Sequence, residues 1–368
     1  MLDISLSRPP AWNALGVAWR ALEARSHGSF FQSWSWVGCR AAERFADPQL
    51  LAVRRGGETV ALGLFNRRRR RLASGTRLWL NESGTPALDS IHVEHNGLLV
   101  ADDAPAGTLV QALSHASRHS GAIMMSGVDD AHLAAARQAG ATVHIRASTG
   151  SSPWIDLAAV RAHPGGHLGL LSANTRQQIR RSIRRYAAVG ELEIRRAATL
   201  DEAQAHLAAL AVLHQRSWTS RGQPGAFANP NFVAFHRELL ARAWPRGEID
   251  LLRIGFGGRL AGYLYNFRWR DRIANYQSGF DYAAADSAQQ KPGLTCHHLA
   301  AEAYAAEGLA AYDLLAGEHR YKTSLATSGV ALHWLELFPA TSLSGLVHRM
   351  RAAMGDRRPM PWPFPAGR

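Results

Sequence analysis

Leu251–Asn266 reads LLRIGFGGRLAGYLYN, two apolar runs broken by the pair Gly257-Gly258. Glycine supplies the positive φ of a tight hairpin turn, so the stretch predicts two antiparallel strands joined by two residues. Leu50–Asn66, LLAVRRGGETVALGLFN, repeats the pattern with Gly56-Gly57 at the turn. An aromatic-rich helical stretch precedes each hairpin, Phe31–Phe45 before the first and Phe232–Trp244 before the second. Two copies of helix–strand–turn–strand, about half a chain apart, predict an internal duplication.

Outward from the second hairpin the pattern is richer. Ile273–Gly279 (IANYQSG) predicts a strand, Phe280–Lys291 a polar loop, and Pro292-Gly293 the start of a helix reaching about Glu307, since proline is favoured at a helix start. Gly308 ends that helix, and Ala311–Leu315 (AYDLL) predicts the next strand. The first half shows no comparable run: its hairpin leads into Arg67–Arg71, a solvated extension or a phosphate-contacting patch, and then a mixed strand and loop region. Between the halves lie an arginine-rich helix within Leu171–Gly190, capped by Ser172 or Asn174, and a second helix, Leu200–Arg221, ending in LHQRSWTSRG.

The chain has 368 residues, enough for two hydrophobic cores. The expected division is a first lobe over 1–165, a second over 166–345 and a Pro-rich tail over 346–368. With 46% hydrophobic and 19% charged residues the composition is globular, not disordered. No apolar run approaches the roughly 18 residues of a membrane span, and the N-terminus lacks a signal-peptide pattern. Cys39 and Cys296 are too few for a disulfide framework and have no CxxC partner, so a reducing cytoplasm fits. His297 and His298 are adjacent and diverge on a helix, so no metal site is expected. Gly255-x-Gly257-Gly258 is a turn and not a dinucleotide fingerprint, because no helix follows it. The formal charge of +13 predicts an anionic partner or reflects an arginine-rich background. Only Lys291 and Lys322 among the 42 basic residues are lysines, both in the second half.

Five motifs stand in order: RQQIRRSIRR followed by GELEI, LHQRSW followed by SRG and GAF, YQSGFD, KPG, and YDLLAGEHRYKTSLA. Together, over roughly Ser172–Leu325, they resemble GNAT-superfamily acyltransferases of the cellulose-biosynthesis type, and more distantly the Fem-type aminoacyl-tRNA-dependent transferases. The resemblance implies an α/β (α+β) fold of tandem GNAT-like lobes, each a mixed twisted sheet flanked by helices. It implies N-acyl transfer from a thioester, acyl-CoA or acyl carrier protein, to a small amine acceptor, at a cleft lined by the second lobe and roofed by the first. Aminoacyl transfer from tRNA, or a non-catalytic carrier-binding or polysaccharide-pathway role, is the alternative.

In such a fold two parallel strands splay apart and the donor arm pairs with the exposed edge of the first. The resemblance puts that strand at Ile273–Gly279, with Tyr276, Gln277, Ser278 and Gly279 along the arm, and its neighbour at Tyr312–Leu315. Phosphates would rest on the helix start at Pro292, Gly293, Leu294 and Thr295, with Lys291 as counter-charge. The loop DYAAADSAQQKPG lacks the glycine pair that wraps a pyrophosphate in coenzyme-A-binding members; an acyl carrier protein or a tRNA would need no such cradle.

An amine acceptor must lose a proton to attack and the leaving group must gain one. His214, Asp281 and Glu318 are the candidate bases, and Tyr321 and Lys322 the candidate acid or stabiliser of the leaving group. Trp218, Phe227, Tyr312 and Asp313 are the candidate acceptor contacts. Each has a purely structural alternative: a satisfied core histidine, a turn aspartate, a capping acid. The stripe Arg176, Arg180 and Arg184, spaced four apart, lies on one helix face and suits phosphates or solvent equally.

Overall fold

The computed structural model of the protein describes residues 1–69, 75–141, 143–283, 289–317, 319–340, 342, 345–347 and 349–350. Both Gly-Gly turns close hairpins, with φ of 57° and 88° at Gly56 and Gly57 and 53° and 80° at Gly257 and Gly258. The chain forms two compact units, one of Met1–Gly150 with the described residues from Ala331 onward, the other of Ser151–Val330. The boundary expected at 165 falls inside the second unit, and the described residues of 331–345, expected in the second lobe, fall in the first unit.

The first unit runs β1 (Leu2–Ser7), α1 (Trp12–Glu23), α2 (Trp34–Arg44), β2 (Pro48–Arg55), β3 (Glu58–Arg69), β4 (Thr76–Leu80), β5 (Leu99–Val100), α3 (Thr108–Arg118), β6 (Ala122–Val128) and α4 (Asp130–Gln138). Helix α2 starts where Ser33 accepts a hydrogen bond from the Trp36 N–H, an N-cap that satisfies one of the free donors of the first turn. Strands β1, β2, β3 and β4 pair antiparallel in that order. β4 and β6 then pair parallel over only three residue pairs, Arg77 with Ala122 through Trp79 with Met124. The first half therefore does contain a strand–helix–strand run, which the long, irregular stretch between Leu80 and Thr108 hid from sequence reading.

The strand β7 (Val143–Asp156) leads into the second unit: α5 (Leu157–Ala162), α6 (Gly166–Leu170), α7 (Ala173–Ala187), β8 (Leu192–Arg196), α8 (Leu200–Thr219), α9 (Pro230–Ala243), β9 (Ile249–Phe256), β10 (Arg259–Trp269), β11 (Arg272–Phe280), α10 (Pro292–Ala306), β12 (Ala311–Asp313), α11 (Arg320–Leu325) and β13 (Ser328–Pro339). Ser172 caps α7, Thr199 caps α8 and Asn229 caps α9, the last followed by Pro230 at the first helical position. Strands β8, β9, β10 and β11 form an antiparallel run. β11 pairs parallel with β12 at Arg272, Ile273 and Ala274 only, and β12 takes Trp154–Asp156 of β7 on its other side. β13 ends in the first unit, where His333 to Leu337 pair with β6. The core of this unit joins Ile155, Leu252, Ile254, Leu264, Ile273, Ala300 and Tyr304, each large aliphatic contributing about 2 kcal/mol by burial.

The two units share an order of elements. In both, a helix pair precedes a Gly-Gly hairpin, and a third strand passes through a helix to a parallel neighbour that it meets for three residues. They differ past that point. In the first unit Asn96 lies between the parting ends: its N–H donates to Gly127 O at 2.9 Å, its Nδ2 donates to Leu80 O at 3.1 Å, and it bridges in parallel to Val128. Asn81 Nδ2 in turn donates to Asn96 Oδ1 at 2.8 Å. In the second unit no strand among the described residues takes the edge of β11 beyond Ala274.

Candidate functional site

The candidate site of the second unit is built where β11 and β12 part. Strand β11 carries a bulge there: Tyr265 faces Gln277 and Asn266 faces Asn275, which makes Tyr276 the extra residue of the bulge. A bulge re-aims side chains, and Tyr276 packs into the core against Phe232, His236 and Phe267. The ring thus faces the core, while its backbone belongs to the strand expected along the donor. Gly279 has a packing reason to be glycine, since a Cβ would come within 2.5 Å of Leu210 O on α8.

A chain of buried hydrogen bonds fixes the bulged strand. Ser278 Oγ donates to Asn275 Oδ1, Asn275 Nδ2 to Asn266 Oδ1, Asn266 Nδ2 to Tyr304 Oη, and Tyr304 Oη to Asp250 Oδ2. Arg196 Nε closes the chain onto Asp250 at 2.9 Å. Ser278, expected on the donor, instead anchors this network through its hydroxyl. Fully satisfied buried networks rigidify the backbone that carries them.

Gln277 lies close to His214 of α8 and favours its protonated form. His214 is buried, contacts Gln215 Oε1 through Nδ1 at 3.3 Å, and packs between Trp218 and Phe227 at centroid distances of 5.7 and 5.1 Å. Burial pushes its pKa down to about 4, so the imidazole is neutral near pH 7 and a weak general base. Beside it, Leu213, Arg216, Ser217, Ser220 and Arg221 of the α8 end, with Phe280, Tyr282 and Ala283, line a groove of about 520 Å³. The Arg221 guanidinium lies 4.8 Å over the Trp218 ring, a cation–π contact. Arg216 and Arg221 were visible in the motif LHQRSWTSRG, but nothing in its spacing marked them as groove residues.

Asp281 follows β11 directly; its N–H donates to Ala261 O at 3.0 Å, and its charge acts on Tyr186 of α7. The α10 start meets the groove from the other side. A Cβ at Gly293 would lie 3.3 Å from the Phe280 ring and 3.4 Å from Tyr282 Oη. Pro292 has no N–H, and Gly293 and Leu294 hold first-turn donors that the helix itself does not use. The Thr295 N–H bonds back to Lys291 O, and the Thr295 hydroxyl meets Ser182 Oγ of α7 at 2.7 Å. Lys291 donates its N–H to the same Ser182 Oγ and leaves its side chain exposed.

Beyond β12 the chain turns through Leu315, at φ 61°, and Gly317, at φ 132°. Lys322, only 8% exposed, holds that turn by donating Nζ to Leu315 O at 3.0 Å and Ala316 O at 2.7 Å. Asp313 accepts from Ser152 Oγ and the Leu315 N–H, so this acceptor candidate also serves the turn. Glu318 lies outside the described residues. Tyr321 stacks on His297 at 5.3 Å and near His319 at 6.1 Å, and burial raises its pKa, which keeps a phenolic O–H at neutral pH. Tyr312, wholly buried, meets His297 Nδ1 at 2.8 Å. His319, which sequence reading passed over, sits 6.5 Å from Trp218 with its pKa lowered by burial and by the charges of Lys322 and Arg221.

His214, Trp218 and Phe227 thus pack together, the α10 start lies against the groove's Phe280 and Tyr282, and Tyr321 and Tyr312 flank His297. Tyr276, Ser278, Asp313 and Lys322 also hold structural contacts there. No group of three or more potential metal ligands occurs among the described residues. None of their helices is long and apolar enough to cross a membrane.

Residues 173–323 match the family model of the acetyltransferase (GNAT) domain. Among solved structures, FemX is similar with a TM-score of 0.61 at 8% identity, covering 95% of this chain and 99% of its own. The structure of L-PGS from Bacillus licheniformis gives 0.54 at 10% identity, covering 95% and 99%. The C-terminal domain of a putative lysylphosphatidylglycerol synthetase from Agrobacterium fabrum gives 0.54 at 13% identity, covering 94% and 96%. At these identities the likeness is one of fold. No curated protein matches the sequence.

Proposed function

We propose that the second unit is an N-acyltransferase that takes an acyl group from a thioester, carried by coenzyme A or an acyl carrier protein, to a small amine. The observation that carries this reading is the opening between β11 and β12, where parallel pairing stops after Ala274 and Asp313. An extended amide-bearing arm fits such an edge, because a strand edge presents backbone N–H and C=O groups that an added extended segment can pair with. The α10 start, with Lys291 beside it, suits the arm's phosphate. The first unit has the same opening, but Asn96 takes its backbone and carbonyl positions, so the donor is assigned to the second unit alone.

In the chemical step the amine nitrogen attacks the thioester carbonyl, the C–S bond breaks, and the amine proton leaves to solvent or a base. Tyr321, protonated at neutral pH, supplies a hydrogen bond or proton to the leaving sulfur. His214 supports the aromatic wall of Trp218 and Phe227 rather than taking a proton, given its depressed pKa. Positioning of this kind supplies a large share of an acyl-transfer barrier.

The test is thermal denaturation with acetyl-coenzyme A and, separately, acetylated carrier protein. A ligand at a hundred times its Kd stabilises by about 2.7 kcal/mol, which moves the midpoint by several degrees. An unchanged midpoint with both donors removes the reading.

A second reading, aminoacyl transfer from tRNA, has its own support. On α7, Arg180, Arg181 and Arg184 are exposed, and neither they nor Arg176 pairs with an acid among the described residues. The name lysylphosphatidylglycerol synthetase denotes an aminoacyl product in a protein of similar fold. RNA retained through purification, lost when Arg180, Arg181 and Arg184 become glutamine, would favour it.

A further inference from the structure

His297 is a polar group placed at the strand opening without a partner for one of its nitrogens. It lies on α10, wholly buried, with its ring between Phe280 at the end of β11, Tyr312 on β12 and Tyr321 on α11, at centroid distances of 5.6, 6.0 and 5.3 Å. These three rings come from the three elements that frame the opening. Nδ1 is 2.8 Å from Tyr312 Oη, and Nε2 has no hydrogen-bond partner among the described residues.

Proton accounting fixes the tautomer. Tyr312 is wholly buried, and its hydroxyl proton has one acceptor within reach among the described residues, His297 Nδ1. Tyr312 Oη therefore donates to Nδ1, and the ring proton resides on Nε2. Burial, with the Lys322 charge added, lowers the pKa to about 3, so the ring does not gain a second proton near pH 7. His297 is thus a neutral imidazole whose Nε2–H has no acceptor among the described residues. Such a donor is unfavourable to bury until an acceptor arrives.

We infer that His297 Nε2–H is a donor-recognition group, hydrogen-bonding a carbonyl oxygen of the acylated pantetheine-type arm as it enters between β11 and β12. This rests on the thioester reading above and deepens it. No bond is made or broken at His297; its proton stays on Nε2 throughout. Tyr312 acts as a positioning residue, since its hydroxyl holds the tautomer. The preference is for an arm that presents an oxygen acceptor at this depth, whatever carries the arm outside.

The experiment uses the full chain and two probes, acetyl-coenzyme A and S-acetyl-pantetheine, the latter carrying the arm without a nucleotide. His297→Asn keeps an acceptor where Nδ1 stands and removes the Nε2 donor; His297→Gln keeps a donor near Nε2. Calorimetric Kd for His297→Asn should rise about tenfold, one neutral hydrogen bond, and His297→Gln should recover part of it. Binding of both probes shows recognition of the arm itself; binding of acetyl-coenzyme A alone shows that the nucleotide is also required. Wild-type affinity in His297→Asn overturns the inference while leaving the thioester reading intact. Failure of the wild type to bind either probe overturns both. Should His297→Asn not fold, ¹⁵N-labelled histidine in the wild type decides: the Nε2–H resonance must be present without ligand and must shift when a probe binds. An unshifted resonance in the bound protein refutes the inference.

Discussion

Replacing Lys322 with methionine tests whether this lysine serves the reaction or the backbone. Its Nζ lies 3.0 Å from Leu315 O and 2.7 Å from Ala316 O, with 8% of the residue exposed. Leu315 holds φ 61° in the turn, a conformation that costs a residue with a Cβ roughly 1–2 kcal/mol. Methionine retains the apolar stem and removes both charge-assisted bonds, leaving two carbonyls of a strained turn short of a donor. Each bond from a charged group is worth about 1.5–3 kcal/mol, so a net loss of roughly 2–4 kcal/mol is expected after relaxation. For a unit of this size that lowers the melting midpoint by roughly 5–15 °C. Thermal melts by circular dichroism, with urea titrations to check for an unchanged slope, measure it. Activity should fall with stability, because α11 carries Tyr321 just after the turn. A Met variant melting within about 1 °C of wild type, yet inactive, would refute the backbone role and return Lys322 to the leaving group.

Acid should destabilise the second unit through its buried histidines. His214, His297 and His298 sit at about 4, 3 and 3, below the roughly 6.5 of a free histidine. The unfolded chain therefore binds more protons below pH 6.5, and stability present above that value drains away as pH falls toward the folded values. The melting midpoint should drop between pH 6.5 and 5, less steeply in His214→Phe; equal slopes in both proteins would count against it. In the first unit, Asn96→Ala should cost roughly 2–4 kcal/mol in urea unfolding, since Leu80 O and Asn81 Nδ2 lose buried partners. A variant as stable as wild type would mean that the segment between Leu80 and Thr108 is held by other contacts.

The sequence made the hairpins and the α10 start legible because their signals are local. Gly56-Gly57 and Gly257-Gly258 needed positive φ, and Pro292 sits at the first residue of α10. Strand β11 was expected at Ile273–Gly279 and occupies Arg272–Phe280. What local pattern could not carry was orientation. The bulge at Tyr276 turns that ring toward Phe232 and His236, and one inserted residue is invisible in a run as short as YQSGF. Lys322 read as a reactive amine because lysine is scarce in the chain; the carbonyls that hold it belong to a turn whose shape only the fold reveals. The destination of β13 was equally hidden, since an apolar strand fits an edge of either unit and nothing in SGVALHWLELFP names the partner.

The two units face one physical problem and answer it differently. Parallel strands that part after three residue pairs leave main-chain N–H and C=O groups facing a gap, and buried groups of that kind must be paired. In the first unit the chain itself answers: Asn96 offers its N–H to Gly127 O and its side-chain amide to Leu80 O, with Asn81 bonded behind it. That answer needs the irregular stretch after Leu80, which lengthened one copy's loop and obscured its kinship with the other. In the second unit β11 passes to α10 with no bridge of this kind among the described residues, and the surrounding groups are aromatic rings and one imidazole N–H. A gap closed by its own backbone has no room for a substrate; the gap framed by Phe280, Tyr312, Tyr321 and His297 is the one to which the proposed donor is assigned. The asymmetry of the two units therefore lies less in which elements each has than in what each sets between its two parting strands.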